Sequence, residues 1–193
     1  MEFIPITIPQ SIKLSKQKLT KGNFIEQYLL LCTKLSSQEI KALKLNTALD
    51  YMLQYLYSQF GDIEMADGVS LLQMYQDAEM VDLDKKEHIK INGYRFEKTL
   101  TVEMLQQAES KCYLKGESEL LGLYVLASMC SKGIDTGLEV ISSLSDNIEN
   151  RYKLFELEQM VNANSELKIS LLADPSTITV GGVVWQNDFF FFG

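Results

Sequence analysis

The histidine and cysteine side chains of this sequence, which most often serve as metal ligands and catalytic groups, are few and far apart. His88 is the only histidine, and the cysteines Cys32, Cys112 and Cys130 are widely spaced. A zinc site needs several such ligands at short spacings, and a catalytic triad needs a nucleophile motif besides its histidine. Because both patterns are missing from the sequence, we expect no metal and no catalytic histidine. His88 is expected to be an ordinary residue at the end of a strand.

The three cysteines fall within apolar helical patterns. An unpaired cysteine in such a pattern behaves as a small hydrophobic residue. An odd number of cysteines at wide spacing also gives no disulfide framework and suits a reducing compartment. We therefore expect all three thiols to be reduced and packed in the core.

Two further segments superficially resemble ligand-binding loops. Gly181-Gly182 lies in a strand-like segment rather than between a strand and a helix, so it does not fit a phosphate-binding loop. Asp62, Glu64 and Asp67 lack the remaining pattern of a calcium loop, including its terminal glutamate. We expect no catalytic residue and no cofactor, and therefore a protein that is not an enzyme.

The carboxyl terminus is the most informative feature for function. It contains Trp185 and four consecutive phenylalanines, Phe189–Phe192. Each buried aromatic side chain removes about 150–250 Å² from water, so this aromatic cluster is expected to be covered. The cover is either the protein's own core or a partner, and the sequence leaves both open. We predict partner binding through this tail and the amino-terminal arm, at Phe3, Ile4, Trp185, Phe189, Phe190, Phe191 and Phe192.

Composition excludes several classes of protein. Apolar residues make up 46% and charged residues 23% of the 193 residues, as is typical of a globular protein. No stretch approaches about 18 consecutive apolar residues, and no basic segment precedes an apolar one at the amino terminus. The net charge of −8 argues against a nucleic-acid partner. We expect no membrane span, no signal peptide, no nucleic-acid partner and no small-molecule substrate.

The elements that would position these residues are mostly helices. Phe3 to Pro9 is typical of an extended arm or edge strand, because its two prolines cannot donate to a central ladder. Ser11 to Leu14 is predicted to form a second short strand. From residue 21 to about residue 161 apolar residues recur at helical spacing, with capping-box pairs at Ser36–Glu39 and Thr136–Glu139.

One β-hairpin interrupts the helical region. Residues 88–97 alternate between apolar and polar side chains around Asn92-Gly93, a dipeptide suited to a type I′ turn. Before it, Asp67-Gly68 indicates a turn, and Val69 to Met80 is a candidate helix. Extended patterns return from Leu167 onward.

These patterns predict an α+β fold that is mainly α-helical, with one domain spanning residues 1–193. It comprises an amino-terminal arm or strands (1–20), a helical core with the hairpin (21–161), and carboxyl-terminal strands with the aromatic tail (167–193). Short strands are thus expected at both termini. The last helix is predicted to carry an apolar face of Ile148, Tyr152, Phe155 and Met160.

Three segments, taken in order, resemble the baseplate hub and hub-assembly protein family of T-even-type tailed phages. The first is residues 19–30, which enter a helix. The second is Ser142 to Phe155, a helix junction followed by aromatic residues, and the third is residues 183–190. The third is similar to the family's Gly-x-x-x-Asp-Phe-Phe ending, with Gly182 slightly farther upstream. Some relatives carry paired cysteines near the final strands, whereas residues 167–185 contain none.

This resemblance implies a non-enzymatic structural component of a contractile-phage baseplate or tail hub that acts through protein–protein contacts. Its partners would be other phage tail and baseplate proteins. It would be located in the virion and, during assembly, in the host cytoplasm. The alternatives are a transient tail or baseplate assembly chaperone and a small cytoplasmic enzyme with an unrecognised site.

Overall fold

The computed structural model describes the backbone of residues 2–61, 88–163, 167–168, 177–180 and 183–186, and side chains as far as Glu158. Several predictions lie outside the described residues. They are the turn and helix within residues 62–87, the calcium-loop residues, Gly181-Gly182 and the tail Phe189–Phe192.

Most of the described chain is helical, in agreement with the predicted α+β fold. The helices are α1 (Ile8–Ser15), α2 (Lys21–Cys32), α3 (Ser37–Ala42), α4 (Leu45–Phe60), α5 (Val102–Leu114), α6 (Leu121–Ser128), α7 (Ile134–Ser142) and α8 (Ile148–Ala163). A 3₁₀ turn at Ser118–Leu120 precedes α6. The strands are β1 (His88–Ile91), β2 (Tyr94–Glu97), β3 (Leu167–Lys168), β4 (Thr177–Val180) and β5 (Val183–Gln186).

The prediction of strands within residues 1–20 is wrong. Residues 2–7 are an arm without regular structure, and α1 follows them as a helix. The Thr7 hydroxyl accepts a hydrogen bond from the Gln10 N–H, and the Gln10 side chain accepts one from the Thr7 N–H. Pro9 lies in the first turn of α1, where a helix does not need the missing N–H. Pro9 therefore helps to start a helix instead of marking an edge strand.

The predicted β-hairpin is confirmed as β1 and β2, which pair antiparallel. Asn92 and Gly93 connect them with φ angles of 49° and 83°, as a type I′ turn requires. Ile89, Ile91 and Phe96 are buried, so the hairpin contributes one face to the core.

The core lies where the helices and the inner face of the hairpin meet. Helix α2 packs against α1, α3, α4 and α5, while α5 also packs against α6 and α6 against α7. The Glu97 N–H donates to the Met129 carbonyl at 2.8 Å, and the Ser131 N–H donates to the Arg95 carbonyl at 2.9 Å. These two bonds join β2 to the connection between α6 and α7.

The expectation that the cysteines are core residues is confirmed. Cys32, Cys112 and Cys130 are all buried and unpaired. Burial raises the pKa of the Cys32 thiol to about 12. Because the thiolate is the reactive form, Cys32 is a poor nucleophile at neutral pH.

The predicted carboxyl-terminal strands are confirmed as an antiparallel sheet with the order β3-β4-β5. Leu167 lies opposite Val180, and Ile178 lies opposite Trp185. The grouping of residues 1–193 into one domain stays a prediction.

Candidate interaction surface

The two arm residues predicted to bind a partner have different surroundings. The Phe3 ring packs edge-to-face against Tyr55, with ring centres 5.8 Å apart, and is partly buried against the core. Ile4 is 42% exposed, and its N–H donates to the Cys32 carbonyl at 2.9 Å. Phe3 therefore anchors the arm to its own chain, while Ile4 faces outward.

Tyr55 of α4 holds the next part of the arm. Its hydroxyl accepts a hydrogen bond from the Ile6 N–H at 2.7 Å. Its ring also contacts Tyr28 edge-to-face, with ring centres 5.7 Å apart. Burial raises the pKa of the Tyr55 hydroxyl, so this group stays protonated at neutral pH. The arm is thus tied to the core by side-chain packing and by backbone hydrogen bonds.

Helix α1, which follows the arm, also exposes apolar side chains. Ile8 is 70% exposed and Ile12 is 36% exposed. They are four residues apart and so share one side of the helix, whereas Leu14 is buried and holds α1 to the core. We call Ile4, Ile8 and Ile12 the isoleucine face. Because residues 11–14 are predicted to form a strand, the sequence patterns do not predict this face. The capping box of Thr7 with Gln10 is nevertheless a sequence signal for the helix.

Tyr55→Phe is expected to loosen the arm and to lower the free energy of unfolding by about 1 kcal/mol. The change keeps the ring contacts with Phe3 and Tyr28 but removes the acceptor for the Ile6 N–H. Hydrogen exchange of the Ile6 amide and urea unfolding measure the two effects. Tyr57→Phe on the same helix is the control, because Tyr57 is 43% exposed. Equal Ile6 exchange in both variants would contradict this role of the hydroxyl.

The predicted tail residues divide into two groups. Trp185 lies in β5, where its backbone is opposite Ile178. The residues Phe189–Phe192 lie outside the described part of the chain. Partner binding by Trp185 and the phenylalanines stays a prediction.

Helix α8 carries a second outward apolar surface. Ile148, Tyr152 and Phe155 are 85%, 69% and 54% exposed, and their spacing places them on one side of the helix. Leu157 is fully buried, and Leu154 is partly buried against the core. The helix therefore packs through its leucines, and the described residues of its predicted apolar face point away from the core. We call Ile148, Tyr152 and Phe155 the α8 stripe.

Ion pairs surround the α8 stripe. The Arg151 guanidinium donates to both carboxylate oxygens of Asp146, at 2.5 and 2.8 Å, and the Lys153 ammonium donates to Glu149 at 2.6 Å. These hydrogen bonds lower the pKa of the Asp146 and Glu149 carboxyls. Exposed ion pairs of this kind contribute little to stability, so these charges can change partners at low cost.

Glu109 of α5 is the most buried charged side chain among the described residues, at 1% exposure. Its two carboxylate oxygens accept hydrogen bonds from the Lys21 and Gly22 N–H groups, at 2.9 and 3.0 Å. These N–H groups begin α2 and have no partner within that helix. Burial raises the pKa of the Glu109 carboxyl, although these hydrogen bonds and the Lys21 charge oppose the shift. Glu109 thus acts as a cap that joins α5 to α2.

A polar network continues from this cap toward α3. A Cβ at Gly22 would lie 2.7 Å from Cγ of Gln106, so glycine permits the close approach of α2 and α5. The Gln106 amide donates to the Gly22 carbonyl at 3.2 Å and to the Glu26 carboxylate at 2.6 Å. The Ser37 hydroxyl donates to Glu26 at 2.5 Å. The network therefore links the three helices α2, α3 and α5.

A groove of about 540 Å³ lies beside this network. Most of its lining residues are of polar type, and the lining comprises Asn23, Lys41, Glu103, Gln106, Gln107, Ser110, Lys111, Leu114 and Ile134. Lys111 pairs with Asp135, and the Lys41 ammonium lies 3.6 Å from a Glu26 carboxylate oxygen. Because both lysines have carboxylate partners, the groove offers no excess positive charge to an anionic ligand.

Metal binding and membrane insertion both depend on features that the described residues would show. Within those ranges, no group of three or more His, Cys, Asp and Glu side chains could hold a metal ion. No helix of the described part is long and apolar enough to cross a bilayer.

Among the described residues, the isoleucine face and the α8 stripe are two exposed apolar surfaces that can take part in recognition. The buried polar groups, Glu109 foremost, join helices to one another. No known protein family, curated protein or solved structure matches the chain.

Proposed function

We propose that the protein is a non-enzymatic structural component of a contractile-phage baseplate or tail hub that acts through protein–protein contacts. The resemblance of three segments to the T-even-type hub family supports this function. The observation that carries the proposal is the isoleucine face, where Ile4, Ile8 and Ile12 point into solvent. Contiguous exposed apolar side chains favour protein–protein contact, and Ile8 and Ile12 share one side of α1.

The isoleucine face suits this role because it is held in place before binding. The Ile4 and Ile6 N–H groups are bonded to Cys32 and Tyr55, and Leu14 fixes α1 to the core. A surface that is already ordered loses little conformational entropy when a partner binds. The partners would be other tail or baseplate proteins, met in the host cytoplasm and retained in the virion.

Ile8→Glu is expected to reduce the yield of infectious particles at least about tenfold, because it places a charge beside Ile12 on the exposed side of α1. The variant is supplied in trans to a phage whose own gene for this chain has been inactivated, and the infectious particles are counted. The protein should stay folded in urea titrations, since Ile8 is 70% exposed.

Leu114→Glu is the matched control, because Leu114 is an aliphatic residue that is 85% exposed on α5. It should leave the particle yield unchanged. Purified particles should also contain the protein in a fixed ratio to other baseplate proteins. Equal yields for Ile8→Glu and the wild type would contradict the proposal, and absence of the protein from finished particles would indicate an assembly chaperone instead.

A further inference from the structure

The α8 stripe has the spacing of a coiled-coil seam. Ile148, Tyr152 and Phe155 occupy successive d, a and d positions of a heptad. Their exposure leaves this seam uncovered. Leu157 lies about 180° around the helix from Ile148 at 3.6 residues per turn, and it is buried in the core. Helix α8 can therefore pack against its own subunit on one side and against a second helix on the other.

The charges beside the seam indicate what that second helix is. Arg151 lies at a g position, and Glu156 lies at the next e position. In a parallel pair of helices, a g residue faces the e residue five positions later on the other helix. Two parallel copies of α8 would therefore place each Arg151 beside Glu156 of the partner subunit.

The antiparallel arrangement is less favourable. With Tyr152 opposite Phe155 of the other copy, e positions face e positions and g positions face g positions. Each Glu149 would then lie beside Glu156 of the partner subunit, and this like-charge pair offsets the opposite-charge pair of Arg151 with Glu158 of the partner subunit. Like charges at such positions disfavour association. Charge complementarity therefore selects the parallel pair.

We infer that the α8 stripe is the interface of a parallel homodimer whose two-fold axis runs along α8. In the dimer, the Arg151 guanidinium contacts Glu156 of the partner subunit instead of Asp146 of its own chain, or it contacts both carboxylates. The inference goes beyond the proposed function, because it concerns the purified chain and uses none of the isoleucine face.

The expected dimer is weak. The seam is about two helical turns long, which is small beside a standard interface of about 800 Å² per partner. We expect a dissociation constant on the order of 10 to 100 µM. Sedimentation equilibrium of the full chain from about 5 to 500 µM covers this range.

Tyr152→Glu is expected to raise the dissociation constant at least about 100-fold, because it puts a charge in the centre of the seam. Leu114→Glu is the control for adding a negative charge at an exposed apolar position, and it should leave the constant unchanged. A wild-type chain that is monomeric at every concentration would overturn the inference. So would a dimer that is indifferent to Tyr152→Glu.

A charge swap tests the parallel arrangement. Arg151→Glu alone and Glu156→Arg alone place like charges across the interface, and each should raise the dissociation constant about tenfold. The double variant restores opposite charges and should return the constant to within about threefold of the wild type. Helical circular dichroism checks that each chain is folded. A double variant whose dissociation constant is as high as those of the single variants would contradict the parallel homodimer.

Discussion

Gly137→Ala is expected to lower the free energy of unfolding by about 3 kcal/mol or more. A Cβ at this position would lie 2.1 Å from the carbonyl oxygen of Ala127 and 2.8 Å from its carbonyl carbon and Cα. These are main-chain atoms, so no side-chain rotation relieves the clash. Helix α7 must move away from α6, which weakens the packing of Val140 and Ile141, both buried.

Gly122→Ala is the matched control for this prediction. Gly122 lies in α6, and a Cβ there would meet nothing within 4 Å. Both substitutions improve helix propensity by up to about 1 kcal/mol, so the difference between them isolates the helix contact. Urea unfolding followed by circular dichroism gives both free energies. Equal stability of the two variants would show that α6 and α7 do not meet closely at Gly137.

Glu109→Ala is expected to have a similarly large effect, about 3 kcal/mol or more. It leaves the Lys21 and Gly22 N–H groups without their acceptor at a buried helix start. The negative charge of Glu109 also interacts favourably with the amino end of α2, although burial outweighs this interaction and raises the pKa of the carboxyl. Glu109→Gln keeps the shape and one acceptor oxygen, so it should cost less than the alanine change. A smaller loss for alanine than for glutamine would contradict the capping role.

The Glu109 carboxyl also gives a pH dependence whose sign follows from its raised pKa. The folded state binds the proton more tightly than the unfolded state, where the pKa is about 4.5. The stabilising contribution is therefore complete below pH 4.5 and is lost as the pH rises through the folded-state pKa. Glu109→Gln lacks this titration but shares all others with the wild type.

Urea unfolding at a series of pH values from 4.5 upward measures the effect. The free energy of unfolding of the wild type, minus that of Glu109→Gln, should fall as the pH rises. A difference that rises with pH would mean that the backbone hydrogen bonds outweigh burial and hold the pKa below its ordinary value.

Capping patterns show how far local sequence predicts this fold. The Ser36–Glu39 capping box is present, with the Ser36 N–H donating to Glu39 at 2.8 Å. The similar Thr136–Glu139 pattern is wrong as a helix start, because α7 begins at Ile134 and Thr136 lies inside its first turn. The residue before the helix is Gly133, whose φ of 93° favours glycine.

The orientation of α8 shows what a periodic pattern leaves open. This helix has apolar residues on two sides, with Leu154 and Leu157 on one side and Tyr152 and Phe155 on the other. Hydrophobic spacing predicts that a helix forms and which residues share a side. It does not say which side meets the core when both are apolar. Contacts with the rest of the chain bury Leu157 and leave Tyr152 and Phe155 exposed.

The sequence by itself determined the features that depend on neighbouring residues. These are the mainly helical composition, the turn at Asn92-Gly93 and the capping box of Ser36 with Glu39. Tertiary structure alone decided that Phe3 turns inward, that α1 and α8 present apolar side chains to solvent, and that Glu109 caps a helix 88 residues away. The reason is physical, because helix caps and turns close over a few residues of chain. Which face is buried depends on distant surfaces that meet only in the folded state.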